Sequence, residues 1–294
     1  MRLLISKKPK NRNFVFQEQL LSSGNLTKQP TILICDSGVG GLSIYHEIRQ
    51  TFPDANYLYV FDNEAFPYGE KSEQFIIKRI LAIVGAIWRL HKLDLIILAC
   101  NTASTISLPA LRKRYFCPII GVVPAIKSAA ELTRNGIIGL LATRATIKHS
   151  YTRDLIKLFS GNCKVMQLGM GELVNLAEAK LHGKIIPLSI LSKLLHPLLM
   201  AKDPPDTIVL GCTHFPLLRQ ELQTVLLEGT KLVDSGKAIA KRSAWLMEHY
   251  IKLDNLQNKT EPNIAYCLAD TPQASALIPV LLQYGFSSLI KLTC

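Results

Sequence analysis

Across 294 residues the chain is 48% hydrophobic, with a formal net charge of +12 and a mean hydropathy of +0.21. That length suits about two domains of ~150 residues with sizeable cores. No apolar stretch reaches the ~18 residues of a membrane span, and the apolar core of Met1–Lys10 is too short for a secretory signal, so a cytoplasmic protein is expected. Seven cysteines without a Cys-x-x-Cys pair argue against a zinc knuckle or redox dithiol and for reduced thiols. In residues 1–30, Arg2, Lys7, Lys8, Lys10, Arg12 and Lys28 are opposed only by Glu18. This stretch reads as a flexible or loosely docked basic extension, able to attract an anionic partner. Elsewhere the basic residues are scattered as on a solvated surface, without a helix-turn-helix, zinc finger or aromatic-basic strand.

From Thr31 onward strands and helices alternate. Ile32–Cys35 reads as a strand, followed by Asp36-Ser37-Gly38-Val39-Gly40-Gly41 and a helix from about Leu42. Asn56–Phe61 is the next strand, and Glu73–His91 a helix with Ile76, Ile80, Ile87 and Leu90 at helical spacing. Leu95–Ala99 is a strand, Pro109–Tyr115 belongs to a helix, and Ile119–Val123 is a strand closed by Pro124. A second series runs through strand Gly136–Leu141, helix Ile147–Phe159, strand Lys164–Leu168 and helix Glu172–Leu181, which His182-Gly183 stops. Helix Pro187–Met200, strand Thr207–Leu210, a helix from Pro216 to about Leu227 and strand Lys231–Val233 complete it. Such alternation predicts an α/β fold of two similar, mainly parallel sheets facing each other across a cleft.

Two segments carry the chemistry. Leu95–Thr102 and Thr207–His214 each bring a buried strand to a cysteine, Cys100 or Cys212, followed by Asn101-Thr102 or Thr213-His214. The C-terminal ends of strands in open α/β sheets are where ligands bind. Backbone donors at the helix start are expected to lower both thiol pKa values. A cysteine-phosphatase loop would need an arginine where Ile106 and Leu218 stand, Cys212 and His214 lack further metal ligands nearby, and a papain-like dyad leaves one cysteine unused. Two thiols on opposite sides of one carbon can instead take a proton from one face and return one to the other. The Asp36–Gly41 turn reads as an anion seat of backbone N–H groups, with Asp36 placed to manage a proton.

Together with Phe66-Pro67-Tyr68-Gly69-Glu70-Lys71-Ser72, Ala99-Cys100-Asn101-Thr102-Ala103-Ser104 and Leu210–Leu218, this turn makes the chain resemble the glutamate racemases. These belong to the cofactor-independent aspartate/glutamate racemase superfamily, and the likeness covers about Pro30 to Leu292. The resemblance implies that Cys100 and Cys212 are the acid/base pair, the first acting on D-glutamate and the second on L-glutamate, assisted by Asp36 and His214 respectively. It implies that Ser37, Tyr68, Gly69, Asn101, Thr102 and Thr213 hold the amino acid, with Thr146 on a carboxylate, and that no cofactor or metal is used. It also implies a first domain of 31–124 plus 234–294 and a second of 125–233.

Asp62-Asn63-Glu64-Ala65-Phe66, the N-terminal extension and Leu176–Gly183 resemble the enterobacterial subgroup, for which UDP-N-acetylmuramoyl-L-alanine is an expected activator. Family members carry a site glutamate after the strand at Lys164–Leu168. Glu172 is the candidate here, with Asn175 where others have Glu. Inhibition of DNA gyrase by some racemases of the family makes gyrase a further expected partner, through the basic tail.

Overall fold

In a computed structural model, residues 29–250 and 261–294 are described; the expected basic extension lies almost wholly outside them. The strands run in chain order as β1 (Thr31–Asp36), β2 (Asn56–Phe61), β3 (Leu95–Leu98), β4 (Ile119–Gly121), β5 (Ile137–Ala142), β6 (Lys164–Gly169), β7 (Thr207–Leu210), β8 (Lys231–Val233), β9 (Ile264–Cys267) and β10 (Ser288–Lys291). They form a six-stranded sheet ordered β10-β9-β2-β1-β3-β4 and a four-stranded sheet ordered β6-β5-β7-β8. Every pairing is parallel.

The fully buried strands β1, β2, β3 and β7 follow from their apolar sequences, because a parallel sheet covered by helices on both faces leaves no polar side. The first sheet separates two cores. Val39, Leu42, Tyr45, Ile48 and Phe286 fill one, and Ile76, Ile80, Ile83, Ile87, Leu108 and Leu111 the other. The predicted ridge Ile76, Ile80 and Ile87 is therefore the buried stripe of helix Glu73–Leu90, capped by the Ser72 hydroxyl accepting from Phe75 N. Leu90 itself is 62% exposed, since the helix ends there.

Three helical expectations differ in detail. The helix predicted over Ile147–Phe159 is two, Arg144–Lys148 and Ser150–Phe159, because His149 leaves the helical conformation between them and caps the second. The helix predicted from Pro216 begins as a 3-10 turn, Phe215–Leu218, before the α-helix Arg219–Val225. The helix containing Pro109 already starts at Asn101. In both sheets the central strand pair ends level, Cys35 beside Leu98 and Leu141 beside Leu210. Both cysteine segments thus emerge at the same height from equivalent strands.

Candidate active site

Beyond β3, Cys100 caps helix Asn101–Arg114, its Sγ accepting the Ala103 N–H at 3.5 Å. Beyond β7, Cys212 leads to His214, whose Nδ1 lies 3.8 Å from Cys212 Sγ. Both thiols are buried, and each is near enough for the charge of Cys212 to act on Cys100. Beyond β1, Asp36 is wholly buried. It accepts from Ser37 N at 2.7 Å, Gly41 N at 2.5 Å and the Thr213 hydroxyl at 3.2 Å, and the last of these joins the two sheets. Between Asp36 and Cys100 stands the Ser37 hydroxyl, 3.5 Å from Asp36 Oδ1 and 3.6 Å from Cys100 Sγ.

The second sheet adds a cluster of hydroxyls. Thr143 caps helix Arg144–Lys148 by accepting from Thr146 N, which turns both side chains toward Thr102. The three oxygens are 3.0–3.2 Å apart. Gly69 lies against the same cluster, for an added Cβ would stand 3.2 Å from Thr143 Cβ. Buried Asn101 has an amide oxygen with no hydrogen-bond partner. A buried amide is ordinarily satisfied, so this oxygen is free to accept from a bound molecule. The Tyr68 hydroxyl instead donates to Asp62 at 2.7 Å, and Arg79 clamps Asp62 with two nitrogens at 2.7 and 2.8 Å.

The electrostatics of the two sides differ. Burial, then the negative charge of Asp36, raises the Cys100 pKa well above the ordinary thiol value. This corrects the expectation of a lowered pKa there. A single N–H at 3.5 Å and the Ser37 hydroxyl do not offset a desolvated site beside a carboxylate. Burial also raises Asp36, opposed by His214 and by its own N–H donors. For His214 burial favours the neutral ring, but hydrogen bonds to Cys212 and Glu178 and their charges outweigh it, so its pKa is raised. Glu178 moves oppositely: burial acts to raise it, and the bonds from His214 and Val39 N bring it below the usual carboxylate value.

Residues 32–242 match the family model for Asp/Glu/hydantoin racemases. A glutamate racemase of Sodalis glossinidius is 67% identical over 281 residues, 96% of this chain and 97% of that one. The chain belongs to the Asp/Glu/hydantoin racemase family. It is an amino-acid racemase similar to the enterobacterial glutamate racemases, including that of Pectobacterium atrosepticum, 60% identical over 91% of this chain and 93% of its own. Among solved structures, glutamate racemase of Escherichia coli in complex with L-glutamate and activator UDP-MurNAc-ala superposes with a TM-score of 0.87 at 58% identity, covering 90% and 98% of the two chains. One from Bacillus anthracis superposes with a TM-score of 0.77 at 27% identity, over 91% and 98%.

In this racemase the residue orienting His214 is not Glu172. That side chain is about half exposed and pairs with Arg144 at 3.8 Å. His214 Nε2 meets Glu178 Oε1 at 2.8 Å. Both acids lie on helix Glu172–Leu181, and six residues at 100° each place them on different sides. The sequence does carry a signal for Glu178: it follows buried Val174 by four residues, so an acid occupies the core-facing stripe.

The glycine turn also differs from the anion seat expected of it. Three of its N–H groups are taken by the protein's own carboxylates, Ser37 and Gly41 by Asp36 and Val39 by Glu178. Its glycines serve close approach instead, because a Cβ on Gly40 would enter the His214 ring and one on Gly38 would strike Glu178 and Phe66. Among the described residues no group of three or more His, Cys, Asp or Glu side chains is arranged to hold a metal, and no helix is long and apolar enough to cross a membrane.

Proposed function

We propose that this racemase interconverts L- and D-glutamate by a two-base mechanism in which Cys100 and Cys212 act from opposite faces of the α-carbon. The observation that carries the reading is the arrangement of two buried thiols at equivalent strand ends, each with its own proton partner. Cys100 is linked through the Ser37 hydroxyl to Asp36, and Cys212 to His214 and onward to Glu178. With D-glutamate, the Cys100 thiolate takes the α-proton and the Cys212 thiol delivers one to the other face. L-Glutamate reverses the roles, leaving the thiols exchanged in protonation state after each turnover. A buried Cys100 beside Asp36 resists ionising on its own. The ammonium group of an arriving amino acid supplies the positive charge that favours its thiolate.

The hydroxyls of Thr102, Thr143 and Thr146 suit a substrate carboxylate, and the free Asn101 oxygen suits an ammonium. Ser37 and Thr213 border the reacting carbon, and Tyr68 with Gly69 walls the hydroxyl cluster. Hydrogen bonds to a carboxylate strengthen as charge grows toward an enediolate, and donors fixed in place need no reorganisation at that moment. On this reading, domains 31–124 plus 234–294 and 125–233 close over the amino acid, and the product serves peptidoglycan synthesis in the cytoplasm.

Racemisation followed by circular dichroism tests the substrate: rapid loss of optical activity from both glutamate enantiomers and slow loss from aspartate are expected. Equal rates on aspartate contradict it. Since the E. coli relative was solved with UDP-MurNAc-ala, addition of UDP-N-acetylmuramoyl-L-alanine is expected to raise the rate, and an unchanged rate removes the activator from the account.

A further inference from the structure

Away from the cleft, helices Glu73–Leu90 and Asn101–Arg114 pack on the same core of the first sheet. Near their C-terminal ends is a hollow of about 410 Å³ lined by Gly85, Trp88, Arg89, Arg114, Tyr115 and Phe116. An adjoining hollow of about 360 Å³ shares Gly85, Arg89 and Arg114 and adds Lys78. No Asp or Glu lines either one, and Cys294, the last residue, stands in the second beside Arg89. Among the described residues the ion pairs engage other cations, so Lys78, Arg89 and Arg114 have no acidic partner.

At the floor lies Tyr115, 7% exposed, with a hydroxyl that is buried and has no hydrogen-bond partner. Buried hydroxyls are ordinarily paired. This one lies close against Gly85, where even an added Cβ would crowd the phenol oxygen at 3.3 Å and stand 3.8 Å from Arg89 Nη1. Burial raises the Tyr115 pKa, and the charges of Arg114 and Arg89 oppose it, so both guanidiniums act at the phenol. At the rim stand Trp88, 39% exposed with its ring centre 5.0 Å from that of Tyr115, and the fully exposed Phe116.

We propose that this hollow binds a small phosphate ester bearing a planar ring, the chemistry of a free mononucleotide. Its phosphate meets Arg89, Arg114 and the Tyr115 hydroxyl, and its ring stacks on Trp88 or Phe116. Guanidinium forks match phosphate oxygens, exposed aromatic faces take up bases, and the volume suits a ligand of that size. The buried phenol closes one end of the hollow, which fits a terminal phosphate better than a continuous strand.

The chain has two tryptophans, so Trp245→Phe leaves Trp88 as the sole indole reporter. Titration with AMP is expected to change its fluorescence saturably. Arg89→Ala and Arg114→Ala are each expected to weaken binding about tenfold, and Tyr115→Phe several-fold. Adenosine and inorganic phosphate alone are expected to bind far more weakly than AMP. Unchanged racemisation in the variants shows that they fold. The proposal is overturned if AMP gives no saturable change, if Arg89→Ala leaves its affinity intact, or if a ten-residue oligothymidine binds while AMP does not.

Discussion

At 2.8 Å from the partly buried Glu178 Oε1, the fully buried His214 Nε2 sits in an ion pair, and the other ring nitrogen faces Cys212. The pH dependence of this pair follows from two opposite shifts. The raised His214 pKa contributes stability that is complete below the ordinary histidine value of 6.5 and is lost as pH rises through the higher folded value. The lowered Glu178 pKa contributes stability that is present above 4.5 and is lost as pH falls through its lower folded value. Between those limits both partners are ionised, and the imidazolium stands beside Cys212. Glu178→Gln keeps a hydrogen-bonding side chain but removes the charge. It is expected to lower kcat by about 10- to 100-fold and to move the alkaline limb of the pH–rate profile to lower pH. A limb that stays in place while kcat falls would assign Glu178 a packing role only.

The elements that position these groups are the turns just beyond parallel strands, and there two helix caps do double work. Cys100 and Thr143 each cap the helix following a central strand, so the same local geometry that satisfies a helix start aims a functional atom at the facing sheet. Replacing Thr146 by valine keeps shape but removes one hydroxyl of the trio. It is expected to raise KM for glutamate about tenfold, the worth of a hydrogen bond to a charged group, with a smaller change in kcat. A kcat loss at constant KM would place Thr146 elsewhere in the reaction.

These turns were legible in the sequence because strand, turn, cysteine and helix start are consecutive residues, and β-branched runs ending at small or polar residues mark the sheet edge. The pairing of Glu178 with His214 was not, since the two are 36 residues apart and meet only through packing between helix Glu172–Leu181 and the 3-10 turn at Phe215–Leu218. The raised Cys100 pKa was hidden for a related reason: helix-start donors are local, whereas burial and the Asp36 charge come from tertiary contacts. Strand β10, Ser288–Lys291, lies at the sheet edge and is largely exposed, so it lacks the buried apolar run that marks β3 and β7. The place of β9 beside β2, with β10 beyond it, depends on pairing Leu58 with Ile264, over two hundred residues apart.

For the molecule as a whole, the repeated arrangement of the central strands sets the two cysteine segments facing each other, and polar contacts tie the faces together. Thr213 bonds Asp36, the Ser43 hydroxyl donates to the Thr213 carbonyl at 2.8 Å, Val39 N donates to Glu178 at 3.0 Å, and Thr102 meets Thr143 and Thr146. A molecule so joined presents one thiol from each sheet, and the proposed two-base inversion rests on that arrangement. The most direct measurement is incorporation of deuterium from D2O at the α-carbon of each glutamate enantiomer by the parent protein and by Cys100→Ser and Cys212→Ser. The account predicts exchange from both enantiomers in the parent and loss of racemisation in each serine variant. Full racemisation in either serine variant would contradict it.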